Sequence, residues 1–196
     1  MKLQFKHQKF QADAAKAVVD VFAGQPYLTP TYMMDKGLLK DKHGTTGYDE
    51  KYVLEDFTGW CNQKIVPELN DRLILEHINA IQRANQIKPS EKLEGRYNLT
   101  IEMETGVGKT YTYIKTMYEL NRAYGWSKYI VVVPSVAIRE GVYKSFQVTQ
   151  EHFAEEYGKK IRFFIYNSAQ LTEIDRFASD NSINVMIINS QADVSI

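Results

Sequence analysis

Gly106-Val107-Gly108-Lys109-Thr110 follows a run of strand character, Tyr97 to Glu102, and precedes a run with helical spacing, Tyr113, Ile114, Met117, Leu120 and Tyr124. A strand that turns through glycines straight into a helix leaves few folds open. Glycine lets the backbone bend tightly, with no Cβ between its N–H groups and an approaching anion. The amino end of the following helix adds a positive field. Such a loop suits the phosphates of a nucleoside triphosphate. Lys109 is placed to reach the β- and γ-phosphates, and the Thr110 hydroxyl to ligate Mg²⁺.

Three further runs read as buried strands: Tyr129 to Val133, Arg162 to Tyr166 and Asn184 to Ile188. Helical patterns separate them. Gly125 caps the helix after the loop, the segment from Ser135 to Tyr157 is mostly helical with a possible break at Gly141, and Leu171, Ile174 and Phe177 mark another helix starting near Asn167 or Ser168. Alternating buried strands and helices predict an α/β fold, a parallel sheet with helices on both faces.

Ahead of the loop, Phe10, Ala14, Ala17, Val18, Val21 and Phe22 recur at helical spacing, and Gly24 and Pro26 end that helix. Residues 25–61 lose all periodicity among Pro26, Pro30, Gly37, Gly44, Gly47 and Gly59, and read as a loop-rich insertion with at most short elements. A second helix is expected from about Pro67 to Ile87, with Leu69, Leu73, Ile74, Ile78 and Ile81 on its buried face. All 196 residues read as one unit.

Lysine plus arginine (24) balances aspartate plus glutamate (24), so no global positive field draws the chain to nucleic acid. One cysteine, Cys61, excludes an internal disulfide framework, and His7, His43, His77 and His152 share no ligand spacing. The histidines read as surface or core residues. Neither a signal peptide nor a run of about 20 apolar residues is present, so the expectation is a cytoplasmic protein with no membrane partner. Glu102 and Glu104 share a side of the expected first strand, but paired carboxylates beside a triphosphate would repel it without a metal.

Met103-Glu104-Thr105-Gly106-Val107-Gly108-Lys109-Thr110-Tyr111 resembles motif I of the restriction (Res) subunit of type III restriction endonucleases, superfamily 2 helicase-like ATPases. The general phosphate-loop pattern has glycine where this chain has Met103, a position that superfamily 2 motors commonly vary. Ile130-Val131-Val132-Val133-Pro134-Ser135-Val136-Ala137-Ile138-Arg139-Glu140-Gly141-Val142 resembles that family's motif Ia. Phe10-Gln11 matches the aromatic-Gln of a Q-motif, and Ile187-Ile188-Asn189-Ser190-Gln191-Ala192 the segment before motif II. Roughly residues 25 to 90 lie outside the resemblance.

The resemblance implies a first RecA-like motor lobe that binds ATP and Mg²⁺, double-stranded DNA as the track, and a methyltransferase (Mod) subunit that reads the DNA site. It assigns Gln11 to the adenine edge and Thr105, Gly106, Val107, Gly108, Lys109, Thr110 and Tyr111 to the nucleotide, with Lys109 and Thr110 catalytic and Thr110 on Mg²⁺. It puts Pro134, Ser135 and Arg139 near DNA. No Asp-Glu pair of motif II type follows Lys109, nor a second-lobe arginine motif or a nuclease domain. The chain therefore reads as an incomplete lobe that binds nucleotide weakly and hydrolyses little alone. Another superfamily 2 helicase or remodeller, or a small stand-alone nucleotide-binding module, are the rival readings.

Overall fold

The computed structural model describes residues 5–35, 57–95, 97–167 and 171–190. Along the chain come helix α1 (Lys9–Val21), strands β1 (Thr31–Asp35) and β2 (Phe57–Cys61), helices α2 (Asp71–Ala84) and α3 (Lys109–Tyr124), β3 (Lys128–Val133), α4 (Val136–Tyr157), β4 (Arg162–Ile165), α5 (Leu171–Ser179) and β5 (Asn184–Asn189). None of the described helices is long and apolar enough to cross a membrane.

The order of the main sheet is β3-β5-β4, all parallel, with Lys128 and Arg162 both opposite Asn184 and Val133 opposite Asn189. Side chains alternate across a strand. Val133, Val185 and Ile187 therefore join Ile114, Met117 and Tyr118 of α3 and Val142, Phe146 and Phe153 of α4 in one core. Phe164 points the other way and meets Phe177 of α5 edge-on, with ring centroids 6.1 Å apart. Helices thus flank both faces of a parallel sheet, as the alternation predicts.

A second core joins Val21 and Phe22 at the end of α1, Leu69 and Ile74 at α2, and Tyr124 at the end of α3. The Tyr124 hydroxyl donates to the Val19 carbonyl at 2.8 Å, fastening α1 along α3. The buried stripe of α1 is Gln11, Ala15 and Val21, while Phe10, placed by periodicity on the apolar face, is 46% exposed. A polar residue takes the inward position because its amide has a partner there, described below.

Helix ends follow local chemistry. The Asn70 side chain accepts the Leu73 N–H at 3.1 Å, so α2 starts four residues after Pro67. Helix α4 runs unbroken through Gly141 for 22 residues, since one glycine costs a helix only about 1 kcal/mol. The expected strand at Tyr97 to Glu102 is not formed. Tyr97 adopts a left-handed φ of 69°, and Ile101 is 46% exposed. A strand needs a neighbour to take its N–H and C=O groups, and the described strands of the main sheet pair only with one another.

Within 25–61, β1 and β2 form an antiparallel pair with Thr31 opposite Cys61, and residues 36–56 between them lie outside the described residues. The exit of the pair is anchored. Asn62 Oδ1 accepts the Ser127 and Lys128 N–H groups at 2.7 and 2.9 Å, and its Nδ2 donates to the Lys128 carbonyl at 2.8 Å. Trp126 Nε1 donates to Gln63 O at 3.0 Å.

Candidate functional site

Residues 105–107 turn, and Gly108 delivers the chain into α3. Gly106 and Gly108 have φ of 83° and 88°, the left-handed region that side chains strain to enter. They are not equivalent. A Cβ on Gly106 would meet nothing within 4 Å, so open space lies beside it. On Gly108 it would come within 2.6 Å of Gln11 Nε2.

No side chain caps the amino end of α3, in contrast to Asn70 at α2 and Ser135 at α4. The first turn of a helix carries N–H groups without intrahelical partners, and here they face a glycine turn followed by exposed Lys109. Thr110, partly buried, is next. Bare N–H groups, one ammonium and one hydroxyl form a donor set that fits a polyphosphate with a hard divalent cation. A surface hollow of 490 Å³ lies elsewhere, at the start of α2, and no loop residue lines it.

Gln11 belongs to the loop by geometry. Its Nε2 donates to the Val107 carbonyl at 2.8 Å. Thr105 and Glu104 are exposed, as is Glu102, so the two carboxylates do not form an enclosed pair. Tyr111, next to Thr110, turns from the loop toward α4, where its hydroxyl lies 2.9 Å from His152 Nε2. Burial, then the nearby Glu156 carboxylate, pushes its phenol up to about 12.

The three residues assigned to DNA lie together at the carboxyl end of β3. Pro134 is exposed, and the Ser135 hydroxyl accepts the Ile138 N–H at 3.3 Å as the cap of α4. Arg139 is engaged within the fold: its Nη1 donates to Asn189 Oδ1 at 3.0 Å and its Nη2 to Glu140 at 3.0 Å. It ties the start of α4 to the buried end of β5.

Sequence spacing gave no hint of His152. It gathers Tyr111, Phe5 and His7, with ring centroids 5.7, 5.0 and 5.7 Å from its own. Below it, Lys115 is buried between Glu156 at 2.5 Å and the Tyr157 hydroxyl at 2.7 Å, and that hydroxyl donates to Glu119 at 2.7 Å. The only local trace is the four-residue step from His152 to Glu156 on α4; the α3 partners are some 40 positions away and leave no pattern.

Residues 68–193 match the family model described as type III restriction enzyme, res subunit. The chain is 32% identical over 105 residues to the type III restriction-modification enzyme EcoP15I Res subunit of Escherichia coli, covering 52% of this chain and 11% of that protein. It is 33% identical over 104 residues to the EcoPI Res subunit of Escherichia phage P1, covering 51% and 11%. With the StyLTI Res subunit of Salmonella typhimurium it shares 41% over 69 residues, covering 34% and 7%. The matched part is therefore a small fraction of each relative's length.

Proposed function

The chain belongs to the type III restriction enzyme Res-subunit family, and on that premise we propose that it is the ATP-Mg-binding lobe of a helicase-like motor that moves on double-stranded DNA. The observation that carries the reading is the pair of left-handed glycines around Val107 at the uncapped start of α3, leading directly to exposed Lys109.

In this reading Thr105, Gly106, Val107 and Gly108 supply backbone around the phosphates, and the α3 amino end adds its dipole. The Lys109 ammonium neutralises the outer phosphates, while the Thr110 hydroxyl offers an oxygen to Mg²⁺. Tyr111 supports the first turn from behind. ATP supplies the phosphoanhydride bond whose cleavage drives movement. Gln11 fixes the loop and offers the rest of its amide to the adenine edge. Pro134, Ser135 and Arg139 form the DNA-side corner at the end of β3. In an intact complex, double-stranded DNA and a methyltransferase (Mod) subunit would be the partners, as the resemblance implies.

Titrating the chain with a fluorescent ATP analogue, with and without Mg²⁺, tests the proposal. Saturable, Mg²⁺-enhanced binding that Lys109→Ala removes is the expected result. Binding indifferent to Lys109 and to Mg²⁺ would overturn it.

A further inference from the structure

We propose that His152 is a positioning residue for the nucleotide site, holding Tyr111 and the Phe5–His7 segment together so that Gln11 is presented to the phosphate loop. The inference rests on the nucleotide-binding reading above and extends it to a residue far from the loop in sequence.

Residues 5–11 are pinned at both ends. At one end the Phe5 ring stacks on Tyr111, with centroids 5.8 Å apart and planes 26° from parallel, and lies 5.0 Å from His152. At the other, Gln11 is bonded to Val107 O. The amino-terminal segment thus holds Tyr111, in the first turn of α3, and Val107, just before it, and His152 is the side chain that touches Tyr111, Phe5 and His7 alike.

The atom that makes the contact has two possible partners. His152 Nε2 is 2.9 Å from the Tyr111 hydroxyl and 3.7 Å from Glu156 Oε2. A neutral imidazole accepts from the phenol through Nε2. A protonated one carries N–H on both nitrogens, and its Nε2 turns donor. The hydrogen bond from Tyr111 is then lost, and the Glu156 carboxylate becomes the better partner.

The groups facing the ring are His7 from the amino-terminal segment, Tyr111 and Lys115 from α3, and Glu155 and Glu156 from α4. Burial lowers the imidazole pKa below its usual value; Glu156 opposes this, while His7 and Lys115 add to it. At neutral pH the ring is therefore neutral and paired with Tyr111. Acidification releases that pair and loosens the hold on the loop.

The experiment is titration of the whole chain with the fluorescent ATP analogue and Mg²⁺ over a pH series, for wild type, His152→Phe, Tyr111→Phe, the double variant and His152→Gln. His152→Phe keeps a ring against Phe5 but removes Nε2; Tyr111→Phe deletes a single oxygen, so it decides the matter if the histidine variant fails to fold. Each single variant is expected to bind about fivefold more weakly, the worth of one hydrogen bond. The double variant should be no weaker than either single, because both remove the same bond. His152→Gln, whose amide oxygen can accept from Tyr111, should recover most of the loss. Wild-type affinity should fall as pH drops below the ordinary imidazole value of 6.5, and His152→Phe should leave only the shallower fall that titration of the nucleotide's own phosphate gives. Single variants that bind like wild type, effects that add, or a pH dependence as steep in His152→Phe as in wild type would overturn the proposal while leaving nucleotide binding intact. A wild-type chain that binds no nucleotide would overturn both readings together.

Discussion

The Gln11 side-chain amide donates to the Val107 carbonyl at 2.8 Å, joining α1 to the glycine loop across 96 positions of sequence. Gln11 is only 7% exposed, so the bond forms where water competes little. A primary amide has two N–H donors and one acceptor oxygen; the loop takes one donor, and an adenine edge could use the others. Gln11→Ala should weaken ATP-analogue binding about fivefold to tenfold, because it strips a hydrogen bond from the loop and, in the proposed site, a contact from the base. It should also narrow the preference for ATP over GTP. Gln11→Glu should be worse, since a carboxylate would face a carbonyl oxygen. Parallel titrations with adenine and guanine analogues measure both effects, and unchanged affinity and selectivity would remove Gln11 from the site.

Gly106 and Gly108 separate backbone strain from crowding. Alanine at either must adopt a left-handed φ, a cost of about 1–2 kcal/mol. At Gly106 that is the whole penalty, since no atom lies within 4 Å of the added carbon. At Gly108 the methyl group also drives into Gln11 Nε2, 2.6 Å away. Gly108→Ala should therefore lose stability beyond Gly106→Ala by about 1 kcal/mol, the worth of the displaced hydrogen bond. In the Gln11→Ala background the difference should vanish. Urea denaturation of the four proteins tests this, and equal costs in the wild-type background would show that the crowding is relieved elsewhere.

The glycine turn into α3 was legible because its pattern is local: two glycines, a lysine and a threonine fall within five positions. The three strands of the parallel sheet were legible too, as short apolar runs between helices. Three features were not. Tyr97 to Glu102 has strand composition, yet pairing depends on a neighbour that composition does not encode. Gln11 and Phe10 exchange places on α1 because a hydrogen bond to Val107 outweighs the apolar pattern. His152 acquires its setting only when α4 lies against α3 and residues 5–7 fold over both.

Lys115 is a cation in the interior of the α3–α4 contact, its side chain 8% exposed beside Glu156 at 25%. Burial would raise the Glu156 pKa, but the hydrogen bond and charge of Lys115 outweigh it and hold the carboxyl below its usual range. A folded-state pKa below the unfolded one stabilises the fold above the unfolded value, and that contribution is lost as pH falls through the folded value. Wild-type stability should thus fall with acidification from about the ordinary carboxyl value of 4.5 downward. Lys115→Met should cost about 3 kcal/mol at neutral pH, because it strands a partly buried carboxylate. It should also remove the Glu156 share of the acid slope, and the penalty should shrink below pH 4.5 as that carboxyl protonates. Denaturation across pH 3 to 7 measures both; a penalty that stays constant with pH would mean that Lys115 acts by packing alone.

Arg139 separates a structural tie from a DNA contact. Its guanidinium is held by Asn189 and Glu140, and its side chain is 20% exposed. Asn189 is buried at the carboxyl end of β5, where Ser190 N–H bonds to Val133 O at 2.8 Å. An arginine serving only a phosphate backbone could be replaced without loss of stability, and DNA binding would fall with a shallower salt dependence. An arginine serving only the fold would show the reverse. The geometry leads us to expect that Arg139→Ala and Asn189→Ala each cost about 1–2 kcal/mol, and that the two costs do not add, since either change removes the same bond. Arg139→Lys should recover little, because a lysine cannot span Asn189 and Glu140 with one rigid fork. Urea denaturation of the single and double variants, with duplex binding at two salt concentrations, separates the roles. Unaltered stability in Arg139→Ala together with a reduced salt slope would assign the residue to DNA and not to the corner it now holds.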